Sequence, residues 1–144
     1  MDREEHYRKL ERMYGRAPIN EFFDPTLKVA EGRAEITLEA SEKLHHAAHA
    51  VHGSVYFKML DDAAFFAANS VVRDAFVLTV EFNIHLLRPV TEGTLRSVGR
   101  LIHRSRRLYV AESELFDDRE RMIARGSGSF MPSRMALSAE MGYV

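Results

Sequence analysis

The residues of this 144-residue chain most suited to chemistry lie in "VHGSVYFKMLDDAAFFAANS", residues 51 to 70. The stretch reads as a helix buried on almost every side, yet Asp61 and Asp62 stand together in its middle. Adjacent helical residues point about 100° apart, so the two carboxylates cannot share an environment. One can reach solvent or a sheet edge; the other must face something chosen. A buried carboxylate without a partner is pushed towards its protonated form or needs strong hydrogen bonds, so one of the pair is a candidate base and the other a structural residue. Satisfaction of both by backbone amides, arginine or threonine is the structural alternative.

Gly53 opens the same stretch, with Ser54 as the expected N-cap. Free N–H groups at a helix start suit an oxyanion or a polarised carbonyl, and glycine lets a substrate approach closely. A plain turn glycine is the alternative. His45, His46, His49 and His52 cluster just before, and the 45/49 pair would share a helix face. No acidic third ligand stands near them, so a polar loop at a site entrance is expected and a metal is not. Arg104, Arg106 and Arg107 fall at a strand turn, where they could hold phosphates or be solvated.

The bulk composition removes several classes of function. There is no cysteine, hence no disulfide, thiolate zinc site or cysteine nucleophile. The net charge of −1 gives no pull towards nucleic acid or an anionic membrane. Of the 20 basic residues 16 are arginine, a skew towards forked carboxylate or phosphate contacts. The opening "MDREEHYRKLERMYG" is charged, and the longest apolar run, Ala63 to Ala68, cannot span a bilayer, so a cytoplasmic protein is expected. The length suits a single domain, 1–144, with 1–25 as N-terminal helix and lead-in and 133–144 as a tail.

Elements must position these residues. Residues 2–14 have capping-box spacing at Asp2 and Glu5 and an apolar stripe at Tyr7, Leu10 and Met13/Tyr14, which predicts a helix closed by Gly15. An irregular segment punctuated by Pro18 and Pro25 follows, with Phe22 and Phe23 tucked against the body. "GRAEITLEA" alternates as a first strand, with Ala34, Ile36 and Leu38 inward. After the long helix, "FVLTVEFNIHL" alternates over eleven residues, placing Phe76, Leu78, Val80, Phe82, Ile84 and Leu86 on one face and Thr79, Glu81, Asn83 and His85 on the other. Strands near 94–104, 108–116 and 121–131 complete a set joined by short turns, hence antiparallel. The predicted fold class is α+β, a curved antiparallel sheet wrapped around one apolar helix. One sheet cannot cover that helix all round, which points to a partner subunit.

His52-Gly53, Asp61 nine positions after the histidine, and then Ala63-Ala64 resemble the "HGG…D.A" signature of the hot-dog acyl-CoA thioesterases, in particular the phenylacetic-acid-pathway and 4-hydroxybenzoyl-CoA thioesterase-like group. "FNIHLLRPVTEGTLRSVGRLIHRSRRLYVAESELFDDRERMIARGSGSF" is similar to the later strands of that group, and the resemblance covers roughly residues 26 to 132. It implies a hot-dog fold, hydrolysis of an acyl-CoA to free acid and coenzyme A, and no cofactor. It implies that Gly53 polarises the thioester carbonyl, that Asp61 is general base or nucleophile, and that Thr79, eighteen residues later, positions the water or the carboxylate. It also implies a site shared between subunits of a homodimer or dimer of dimers. His52, Ser54 and the three arginines would then contact substrate.

The sequence departs from the group's pattern at three positions. His46 stands where an asparagine is usual, Ala48 replaces a glycine, and Ser54 replaces the second glycine of the motif. His46 can still donate a hydrogen bond to a carbonyl or water. These departures motivate a rival of a different class, a non-catalytic acyl-CoA binding or sensing protein. A hot-dog dehydratase fits less well, because its catalytic histidine and acidic pair is not apparent.

Overall fold

The computed structural model describes residues 1–144. Its elements run α1 (Arg3–Arg16), α2 (Pro18–Phe23), β1 (Thr26–Ala30), β2 (Arg33–Ala40), α3 (Gly53–Asn69), β3 (Ala75–Leu86), β4 (Gly93–Arg104), β5 (Tyr109–Phe116) and β6 (Met122–Ala136). The six strands form one antiparallel sheet in the order β1-β2-β4-β5-β6-β3, curved around α3. No helix is long and apolar enough to cross a membrane.

Asp2 caps α1 by accepting from the Glu5 amide at 2.7 Å, and His6, Tyr7, Leu10, Met13 and Tyr14 form the buried stripe. Gly15 does not end this helix. Pro18 does, because the residue before a proline is driven out of the helical region: Ala17 is extended at φ −61, ψ 132 and Pro18 opens α2. The lead-in is therefore a short helix, not an irregular segment, and Phe22 stays 50% exposed instead of tucking in. Thr26–Ala30 adds a strand absent from the sequence reading; its five residues bury only Leu27 and Val29, too short a pattern to register as periodic. At the other end, 133–136 continue β6, and Tyr143 is buried against α1. The Tyr143 hydroxyl lies 2.7 Å from His6 Nδ1, while His6 Nε2 lies 2.9 Å from the Asn69 carbonyl. A carbonyl only accepts, so Nε2 carries the proton and Nδ1 accepts from Tyr143.

In β3 the alternation breaks. Register shifts lie between Ala75 and Val77 and between Thr79 and Glu81. Val77 is fully buried, while Leu78 and Val80 are 45% and 57% exposed, so they do not share a buried face with Phe82 and Ile84. The extra residue at Val80 reverses the facing of Val77 to Thr79, as far as the next register shift. Thr79 is thereby turned towards α3.

The central helix lies directly on the sheet. Ala63, Ala64, Ala67 and Ala68 are fully buried, and the Ser113 hydroxyl donates to the Leu60 carbonyl at 2.7 Å. The closest approach is at Gly99 of β4, where a Cβ would stand 2.2 Å from the Ala63 carbonyl oxygen and 2.7 Å from the Ala64 nitrogen. Those are backbone atoms, and no side-chain rotation can make room. Gly99→Ala should therefore lower the unfolding free energy by about 3 kcal/mol or more, the upper part of the range for overpacking a core. Chemical denaturation checks this, as a fall in midpoint at unchanged slope.

Candidate active site

His52, not Ser54, is the N-cap of α3. Its Nδ1 accepts from the Ser54 amide at 3.0 Å and lies 2.8 Å from the Ser54 hydroxyl, so the imidazole does what a serine side chain would otherwise do there. Its carbonyl accepts from the Val55 amide at 3.0 Å. Gly53 is the first helical residue, and its own N–H has no partner in the chain. It lines a cavity of about 360 Å³ with His46, Val51, Tyr56, Leu86 and Arg88. A Cβ on Gly53 would meet Leu86 Cδ1 at 3.2 Å, so glycine lets β3 close on the helix start.

Two turns further on, the adjacent carboxylates have different fates. Asp62 Oδ2 accepts from the Tyr14 hydroxyl at 2.7 Å and from Lys58 Nζ at 2.8 Å, tying α1 to α3. Asp61 turns instead to β3, where Oδ1 accepts from the Thr79 hydroxyl at 2.9 Å. Burial pushes the Asp61 carboxyl up to about 6, against the pull of the Thr79 hydrogen bond; the Asp62 charge raises it further and Lys58 lowers it. A carboxylate so placed is a stronger base than an ordinary aspartate and still ionised at neutral pH. Asp61 and Thr79 line a second, largely apolar cavity of about 290 Å³ with aromatic residues of α1, α3 and β3.

The expected site residues thus fall into three places. Asp61 and Thr79 meet. Gly53, His46, His52 and Ser54 gather at the helix start, with the His46 and His52 rings 6.4 Å apart. Within one chain Asp61 and Thr79 line one cavity and Gly53 and His46 another, with Gly53 and Asp61 about 12 Å apart along the helix axis, while His52 and Ser54 line neither. Arg104, Arg106 and Arg107 are exposed at the β4–β5 turn and enter neither cavity. The register aligns Arg104 with Tyr109, Phe130 and Thr79 in turn, so this turn lies at the Asp61 end of the sheet, about 14 Å away across three strand spacings. No group of three His, Cys, Asp or Glu is arranged to hold a metal ion. Instead, His45 Nε2 lies 2.8 Å from the Thr91 carbonyl, and His46 Nδ1 accepts from the Ala48 amide at 3.0 Å.

Sequence reasoning missed Tyr14 and Lys58 as neighbours of the carboxylates. Lys58 was open to it, since it precedes Asp62 by four residues and so shares its helix face. Tyr14 was not, because it arrives from a helix 48 residues away.

A six-stranded antiparallel sheet around one long helix, with a carboxylate held in an apolar cavity of that helix, defines a hot-dog protein. Residues 48–124 match the thioesterase superfamily, and the chain belongs to that family. A 1,4-dihydroxy-2-naphthoyl-CoA hydrolase of Listeria monocytogenes is 29% identical over 98 residues, covering 67% of this chain and 80% of the relative. A thioesterase family protein from Silicibacter pomeroyi has a similar structure, with a TM-score of 0.80 and 27% identity over 88% of this chain and 96% of that one. The E. coli PaaI protein from the phenylacetic acid degradation operon reaches a TM-score of 0.85 over 94% of this chain and 98% of its own; at 18% identity that likeness concerns the fold. Family and relatives together support thioester hydrolysis as the general activity.

The raised Asp61 carboxyl has a consequence for stability. A group protonated more readily in the folded state stabilises the fold below its unfolded value, near 3.8, and that contribution is lost as pH rises through about 6. Asp61→Asn has no such ionisation. Its melting temperature should exceed that of the wild type by more at pH 8 than at pH 4.5, as read by thermal unfolding at the two pH values.

Proposed function

We propose that this protein hydrolyses an acyl-CoA thioester, with Asp61 as general base, Thr79 as its positioning partner and Gly53 of a second copy as oxyanion donor. In this scheme water attacks the thioester carbonyl carbon and its proton passes to Asp61. The carbonyl oxygen takes the developing charge and accepts from the Gly53 N–H. Collapse of the tetrahedral intermediate breaks the carbon–sulfur bond, and Asp61 returns the proton to the departing thiolate. No cofactor enters the scheme.

The observation that carries the reading is the Asp61–Thr79 pair, a carboxylate buried enough to be basic yet held by only one side-chain hydrogen bond at Oδ1. The second copy is supported by two further features. Gly53 and Asp61 line different cavities of one chain, and β3 is one of the two edge strands of the sheet, β1 being the other. The β3 edge is twelve residues long and carries Leu78, Val80 and Leu86 half-exposed, a surface suited to pairing with its own copy across a two-fold axis. A homodimer, or a dimer of dimers, follows from the same reasoning.

Asp61→Asn should lower kcat by about two to four orders of magnitude while the fold survives. The wild-type rate should fall as pH drops through about 6, where Asp61 protonates. Thr79→Val removes the bond that favours the ionised form, so that limb should move to higher pH. Equal rates for wild type and Asp61→Asn would defeat the proposal, and binding of acyl-CoA esters without turnover by the wild type would make the protein a binder. Label from ¹⁸O-water appearing in Asp61 after a single turnover would reassign it as a nucleophile.

Mixing two inactive variants tests the sharing of the site. Gly53→Pro removes the N–H at the first helical position, where the backbone suits proline and only the tip of the Leu86 side chain must give way, and His52 before it is already extended at φ −64, ψ 141. Dimers of one Asp61→Asn and one Gly53→Pro subunit should recover about half the wild-type activity, since one site carries both lesions and the other neither. Folded, dimeric mixtures that stay inactive would place both groups in a single-chain site. A fully active monomer by light scattering would have the same meaning.

A further inference from the structure

The cavity beside Asp61 has two kinds of wall. One comes from α3 and β3, with Asp61, Phe65, Phe76 and Thr79. The other comes from the α1–α2 junction, with Met13, Tyr14, Ala17 and Ile19. The second wall lies wholly before residue 48, outside the span that matches the superfamily. It is nevertheless firmly fastened. Tyr14 donates to Asp62 at 2.7 Å, Asn20 Nδ2 donates to the Tyr14 carbonyl at 2.8 Å, and the Lys58 ammonium sits 5.2 Å from the Tyr14 ring centre. The His6 pair with Tyr143 and Asn69 anchors the opposite end of α1.

The size and character of the space follow from these residues. Phe76, Phe65, Phe66 and Tyr14 form a series of rings with centres 5.1, 5.0 and 5.0 Å apart, and all four line the cavity. A volume of about 290 Å³ is roughly twice that of a dry engineered cavity known to hold benzene, about 150 Å³. It accommodates one ring-sized apolar group together with a carbonyl reaching Asp61. Ala17, half-buried between the two helices, is the smallest side chain of the far wall, and Ile19 is more than half exposed at the rim. Any larger residue at 17 would take up part of that space.

Resting on the thioester-hydrolase reading above, we propose that the α1–α2 unit is the acyl-specificity element of this chain, with Ala17 and Ile19 limiting the pocket beside Asp61 to a compact apolar acyl group of ring size. The acyl end is thus read by a segment the family match does not include.

The test uses non-hydrolysable coenzyme A analogues in which a methylene replaces the thioester sulfur, one carrying an acetyl group and one a benzoyl group. Calorimetric affinities are measured for the full-length wild type, Ala17→Leu and Ile19→Trp. The wild type should prefer the benzoyl analogue. Ala17→Leu should lose about tenfold in affinity for it, the scale of a misfit of a few methylenes in an apolar pocket, and keep its acetyl affinity within about twofold. Ile19→Trp, placed on an exposed position that leaves the fold intact, should shift the ratio the same way. An unchanged benzoyl-to-acetyl ratio in both variants, or no benzoyl preference in the wild type, overturns the inference. Because the readout is binding, a wild type that binds selectively but does not turn over its substrates would refute the hydrolase reading alone.

Discussion

The close seating of α3 on the sheet is the contact on which the rest of the structure depends. A helix normally stands off a sheet by the length of its side chains. Here alanines at 63, 64, 67 and 68 and glycine at 99 bring backbone against backbone. With no flexible side chain between them, the helix has one height and little freedom to rotate. Asp61 sits two residues before Ala63 in the same helix, so its direction is set by that packing.

The bulge at Val80 is the second constraint. In a regular strand Thr79 would lie on the polar outer face while Leu78 and Val80 faced the core. One extra residue turns Thr79 towards α3 and leaves Phe82 and Ile84 packed inside. The same irregularity exposes Leu78 and Val80 at the sheet edge. A single backbone feature thus turns a hydroxyl to the carboxylate and creates the apolar edge on which the proposed second copy would dock.

Two neighbouring carboxylates in an apolar helix raise an electrostatic problem that is answered twice. Asp62 is paired at once with Lys58 and Tyr14, and burial together with the Asp62 charge keeps the Tyr14 phenol protonated as a donor. Asp61 has no cation in contact and only the Thr79 hydroxyl on Oδ1, and so keeps its raised affinity for a proton. One carboxylate serves as a fastening for the N-terminal helix. The other stays under-satisfied in an apolar cavity, a pattern more common at reactive groups than at structural ones.

Much of this was legible in the amino-acid sequence, because local patterns carry it. The apolar helix, the alternating strand 33–40, the turn-bounded strand 94–104, the Asp2 cap and the resemblance running from His52 through the later strands all depend on residues close together in the chain. Asp62 as the structural member of the pair was also within reach, through the spacing of Lys58. Hidden from sequence were β1, too short to show a period, and the cap at His52, where an imidazole replaces the expected serine. Hidden too were the bulge at Val80 and the docking of α1 over the carboxylates. Periodicity reports which residues want to be buried, so the sequence by itself determined the α+β class, while the resemblance of its motif to the hot-dog thioesterases pointed to the family and to Asp61 as the candidate base. Register and long-range packing depend on the partner strand and on residues dozens of positions away, so only the tertiary structure decided how a bulge turns Thr79 to Asp61, that Gly53 opens into a different cavity, and that the N-terminal helices wall the pocket.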